Sequence, residues 1–127
     1  MSMKFLSKGV TLAFLFVLSL GVGCNRNVPP PTPLTAEELP GVLEKTFGTA
    51  KPEAKNLATE VVNSVQAKDY SKAFWGIQTL AGVPGLTKEQ VKVTARASLT
   101  INDLLQSAQA QGDAKATQTL QQHRITK

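Results

Sequence analysis

The sequence predicts an all-α fold, a small bundle of four to five helices assembled from helical hairpins. Three observations carry that expectation. Beyond residue 50, apolar residues recur at three- and four-residue steps in successive stretches, the spacing that gathers side chains on one face of a helix. The sequences Thr35-Ala36-Glu37-Glu38 and Thr87-Lys88-Glu89-Gln90 both fit the capping box that opens a helix, with a Thr hydroxyl at the N-cap and a carboxylate or amide three residues on. No run alternates apolar and polar residues long enough to argue a strand.

The chain divides into three parts in order: 1–23, 24–34 and 35–127. The first opens with Lys4 and Lys8 and no acidic residue, then runs uncharged from Gly9 to Gly23. A positive flank followed by a short apolar core is the pattern of a secretory signal. Fifteen residues rise about 22 Å as a helix, short of a ~30 Å hydrocarbon core, so a permanent span fits less well. The run ends Leu20-Gly21-Val22-Gly23-Cys24, and Cys24 is the only cysteine. One cysteine makes no internal disulfide.

Asn25 to Thr35 then carries Pro29, Pro30, Pro31 and Pro33. Such a segment holds an extended polyproline conformation, about 3.1 Å per residue, and spaces a domain from whatever holds its start.

Leu34 and Leu39 flank the first capping box as a hydrophobic staple. Pro40-Gly41 predicts that this first helix is short, bent or restarted, with Val42, Leu43 and Phe47 on its buried side and Gly48-Thr49 at its end. Pro52 suits the first turn of the next helix. Ala54, Leu57, Ala58, Val61, Val62 and Val65 form its stripe through Ala67. Asp69 can cap a third helix, with Tyr70, Ala73, Phe74, Ile77, Leu80 and Ala81 facing inward and Gly82 and Pro84 stopping it. The second capping box, with Leu86 and Val91 as its staple, opens the longest element. Val93, Ala97, Ile101, Leu104, Leu105 and Ala108 run along it to Gln111. Gly112-Asp113 marks a break, with Asp113 as cap. The last helix, Ala114 to Arg124, is Gln-rich and anchored mainly by Ala116 and Leu120, so it should be the least stable part.

Two resemblances rest on these residues. The end of the apolar run resembles the lipobox of bacterial lipoproteins, whose signal is cut before a cysteine that carries a diacylglycerol. Gly23 and Val22 supply the small residues such a site needs. Gly21 stands where the family usually has Leu, with Leu20 one step further back. The resemblance implies a lipid on Cys24, a mature chain beginning there, and a lipid bilayer as its first partner. Asn25, in place of the Asp of the familiar retention signal, implies the outer membrane or cell surface. Lys68-Asp69-Tyr70-Ser71-Lys72-Ala73 is similar to the turn and second-helix start of a tetratricopeptide repeat. Val61 and Ser64 depart from that family, which has a small Gly at the first position and a large aromatic at the second. Gln111-Gly112-Asp113-Ala114-Lys115-Ala116 is a faint second copy. The two aspartates lie 44 residues apart, longer than the ~34-residue repeat, which implies one repeat-like hairpin rather than an array.

Composition narrows the function classes. Beyond residue 23 the chain has 104 residues, enough for one domain. Its net charge there is +3, from twelve basic and nine acidic residues, too mild to point to nucleic acid. His123, the only histidine, has no cysteine or histidine partner at ligand spacing, so no metal or other cofactor is expected. Glu37 and Glu38 are adjacent and diverge on a helix, which suits a first-turn charge and not an acid–base pair. No nucleophile elbow or phosphate-binding loop is present, so neither an enzyme nor a small-molecule substrate is expected.

Two surface features remain as candidate partner contacts. Lys88, Lys92 and Arg96, spaced by four, form a basic stripe, either for an anionic partner or simply a solvated face. Trp75 lies about 100° off the Phe74/Ile77 stripe. It is either an exposed interface anchor or, given the scarcity of large side chains, packed under the short first helix. The expected function is therefore a membrane-anchored envelope lipoprotein with a helical protein-interaction or structural module and an unidentified envelope protein as partner. The alternative is a structural lipoprotein joined to the cell wall through Lys127.

Overall fold

Short loops between strongly striped helices leave little freedom of arrangement, because each connection forces its two helices side by side. The computed structural model describes residues 29–127, which contain five α-helices and no strand. They are α1 Glu38–Phe47, α2 Pro52–Gln66, α3 Tyr70–Ala81, α4 Lys88–Ala110 and α5 Ala114–Ile125. Each of the first four packs on the next, and α4 returns to pack on α1, which closes a four-helix ring. The fifth lies outside that ring, against α4 and less extensively against α3.

The first capping box forms as expected. The Thr35 amide donates to Glu38 Oε2 and the Glu38 amide to Thr35 Oγ1, each at 3.1 Å. Leu34 and Leu39 are both buried beneath it. Pro40 and Gly41 do not interrupt α1, which is short but continuous. Pro40 falls in the first turn, where a helix has no use for the missing N–H.

The ring is filled by Leu39, Leu43 and Phe47 from α1, Val61 and Val62 from α2, Ile77 and Leu80 from α3, and Ile101 and Leu105 from α4. Helices α2 and α3 approach closely at Gly76. A Cβ added there would lie 2.9 Å from Val61 Cγ2. The small residue that admits close packing therefore sits on the second helix of the hairpin, opposite a fully buried valine.

The two turns singled out in the sequence share one geometry. Lys68 and Gly112 both take left-handed backbone angles, φ 60° and 92°. In each, the following Asp amide donates to the carbonyl five residues back, Asp69 to Ser64 at 2.8 Å and Asp113 to Ala108 at 3.0 Å. Lys68 and Gly112 donate three residues back, to Val65 and Gln109. This crossed pair closes the carbonyl end of a helix. Each Asp then turns to cap the next helix: Asp69 Oδ1 accepts from Lys72, and Asp113 Oδ1 from Ala116, both at 3.1 Å. Lys115 joins the two turns, its Nζ 3.0 Å from both carboxylate oxygens of Asp69.

The second capping box is also complete, with Thr87 and Gln90 exchanging bonds of 2.9 and 3.1 Å. Its staple is not a buried pair. Leu86 packs against the core, while Val91 stays 53% exposed.

The end of the proline-rich segment is attached to α4. Arg96 Nε donates to the Thr32 carbonyl at 2.9 Å, and the buried Thr100 hydroxyl to the Leu34 carbonyl at 2.6 Å.

Candidate functional site

Cys24, the predicted lipid site, and the signal segment 1–23 lie outside the described residues. The other candidates can be placed. Lys88 and Lys92 are exposed on the first turns of α4, as the stripe requires. Arg96 is half-buried and engaged with Thr32. It also lies close enough to help hold the Glu38 carboxyl below the usual carboxylate range, an effect due first to the hydrogen bond from the Thr35 amide. The stripe therefore presents two free-standing lysines and an arginine committed to the fold.

Trp75 does not pack under α1. It is 40% exposed on α3, and its ring meets Phe74 edge-on at a centroid distance of 5.2 Å. The ring covers one edge of Phe74, while His123 from α5 meets the same ring edge-on at 5.0 Å. His123 is thus half-buried against an aromatic ring and not a plain surface residue at a helix end.

Around this cluster opens a groove of about 820 Å³. Phe74 and Gln78 line it from α3, Leu99, Asn102, Gln106 and Gln109 from α4, and Leu120, His123, Arg124 and Lys127 from the end of α5. It exists because α5 has few large apolar side chains. Only Ala116, Thr119 and Leu120 are buried on it, and the residues beyond them, His123, Arg124 and Lys127, border the groove. No Asp or Glu side chain lines the groove, and its α5 end carries the cationic side chains of Arg124 and Lys127.

Sequence reading missed this groove, although one signal was available. Leu99 lies about 160° around the helix from Ile101 at 100° per residue, on the polar side of α4, and it is 38% exposed. A lone exposed apolar residue is ordinary, and Leu99 gains weight only because Phe74 and Leu120 line the same groove. Basic Lys88 and Lys92 lie on the same outward side of α4, about two to three turns before Leu99.

Among the described residues, no group of three or more His, Cys, Asp or Glu side chains could hold a metal ion. No described helix is long and apolar enough to cross a membrane. Comparison with known protein families, with curated proteins and with solved structures finds no match.

Proposed function

We propose that the chain is a membrane-anchored envelope lipoprotein whose helical domain serves as a protein-interaction or structural module. The observation that carries this reading is in the sequence: a positive flank, an uncharged apolar run from Gly9, and Gly23-Cys24 at its end with no other cysteine in the chain. The all-α bundle supplies a compact cargo, and its open groove supplies a surface for a partner. In this reading Cys24 carries two acyl chains through its diacylglycerol, because stable anchoring takes two hydrophobic signals where one gives marginal binding. With Thr32 and Leu34 bonded to α4, the spacer between Cys24 and the domain is in this reading the seven residues 25–31. At about 3.1 Å per residue they reach roughly 22 Å, so the bundle works close to the bilayer surface.

Labelling cells with an alkyne fatty acid tests the anchor. The wild-type chain takes up label and sediments with membranes. Cys24→Ser takes up none, because serine cannot form the thioether, and it is either retained at full length or released. Screening over about 8 Å in physiological salt leaves the +3 domain too weak a cation to stay on the membrane unaided. A wild-type chain without label would overturn the reading.

A further inference from the structure

We infer that the groove between α3, α4 and α5 docks an extended peptide segment of a partner protein, one that carries both acidic and apolar side chains. Three features of the groove select that occupant. Gln78, Asn102, Gln106 and Gln109 line it, and each side-chain amide both donates and accepts hydrogen bonds. An extended backbone offers unpaired N–H and C=O groups along its length, and a row of such amides can satisfy both kinds. The apolar residues Phe74, Leu99 and Leu120 line the same groove and offer contacts for alternate side chains of an extended segment.

The third feature is charge. The cationic side chains of Arg124 and Lys127 stand at the α5 end, and no Asp or Glu side chain lines the groove. A guanidinium pairs with carboxylates in a bidentate fork, so an Asp or Glu of the bound segment has a place and a basic segment is rejected. Lys88 and Lys92, exposed earlier on α4, extend the same sign of charge along the approach. The groove is an open trough and not an enclosed cavity, which suits a ribbon of chain better than a small molecule, whose binding needs most of its surface enclosed. Half of its lining residues are amides or cations, which argues against insertion into lipid.

This inference deepens the interaction-module part of the proposed function and is independent of the anchor. A Cys24→Ser chain without lipid keeps the groove, so the labelling experiment and the binding experiment fail separately. A phage-displayed library of twelve-residue peptides is selected on the full chain in detergent micelles, and the enriched peptides are synthesised. Trp75, the only tryptophan, lies outside the groove but its ring meets that of the groove residue Phe74, so its emission reports occupancy through that contact. The expected result is enrichment of peptides combining Asp or Glu with apolar residues, and a shift of Trp75 emission on titration. Affinity should fall at least tenfold in Arg124→Glu, at least tenfold in Leu99→Asp, and progressively with added salt. Both positions are exposed, and unchanged circular dichroism confirms that the variants fold. Gln106→Ala, which alters no charge, should weaken binding about threefold. No enriched peptide, enrichment without acidic residues, or affinity unchanged in Arg124→Glu and Leu99→Asp would each overturn the inference.

Discussion

The turns at Lys68-Asp69 and Gly112-Asp113 close their helices with the same hydrogen bonds and open the next ones with the same cap. The helices they open are unlike. Helix α3 buries Ser71, Ala73, Phe74, Ile77 and Leu80, whereas α5, of equal length, buries Ala116, Thr119 and Leu120. The difference separates two jobs that are often merged. Turn chemistry decides where a helix begins and which way it heads. The apolar stripe decides how firmly it is held. Helix α3 is built into the ring and α5 leans on it, and the groove lies where α5 falls short.

The largest expected effect tests the stripe. Ile77 is fully buried at the centre of the ring, and Ile77→Ala should cost about 2–5 kcal/mol through lost burial and a cavity that rigid neighbours cannot fill. That is a large share of the ~5–15 kcal/mol that holds a typical domain. Leu120 is buried but lines the open groove, where water can enter the space left behind. Leu120→Ala should therefore fall below ~2 kcal/mol. Urea midpoints of the two variants measure the contrast, and equal losses would mean that α5 is as integral as α3.

Next in size is the α2–α3 approach. Alanine ordinarily stabilises a helix by about 0.5–1 kcal/mol over glycine. At Gly76 the new methyl would press on a buried, β-branched Val61, and overpacking costs about 1–3 kcal/mol. Gly76→Ala should thus lower the melting temperature by several degrees, since ~1 kcal/mol is worth about 4–8 °C in a domain of this size. Val61→Ala combined with it should recover part of that loss. Additive losses in the double variant would show that the two positions do not press on each other.

These positions also mark how far the sequence could be read. Both capping boxes, both Asp caps, the inward stripes except for Ala81, which is exposed, and the sparse apolar face of the fifth helix were legible, because each is written within a few residues of chain. Gly76 was not, since its role exists only opposite Val61 on another helix. Nor were the bonds from Arg96 to Thr32 and from Thr100 to Leu34, which join residues 64 and 66 positions apart. Pro40 left the first helix short, bent or restarted, and it is the short one, because the effect of a proline depends on its place within the helix. Trp75 was left between two readings, because a helical stripe says which way a side chain points and not what lies there. The groove had a trace in Leu99, but its existence depends on how far α5 stands from α4.

A smaller effect isolates the turn backbone. Gly112 has open space where a Cβ would go, so Gly112→Ala changes only the cost of a left-handed residue, about 1–2 kcal/mol. Lys68 already bears that cost at φ 60°. Lys68→Gly should relieve it, offset by the ~0.4–1 kcal/mol that glycine adds in unfolded-chain freedom, for a net gain below ~1 kcal/mol. Opposite signs for the two substitutions, read as shifts in melting temperature, would confirm that the turns are equivalent in backbone and differ only in side chain.

The smallest effect concerns the link between the turns. The Asp69 carboxyl is held below its usual range, first by the Lys72 amide and then by the hydrogen bond and charge of Lys115. A lowered folded-state value means that the ionised form stabilises the fold. That contribution is fully present above the unfolded value, near 3.9, and is lost as pH falls through the lower folded one. Asp69→Asn separates the two sources, since Asn caps a helix about as well as Asp but offers Lys115 no charge. The pair is exposed on the Lys115 side, so the variant should lose less than ~1 kcal/mol at pH 7. The loss should shrink in high salt and as pH falls through the lowered folded-state value of Asp69. Glu38, lowered by its own capping bonds, keeps a residual acid sensitivity in both proteins. A difference that stays constant as the solution is acidified would assign the stabilisation to the geometry of the cap and not to the Lys115 charge, leaving the two turns independent of each other.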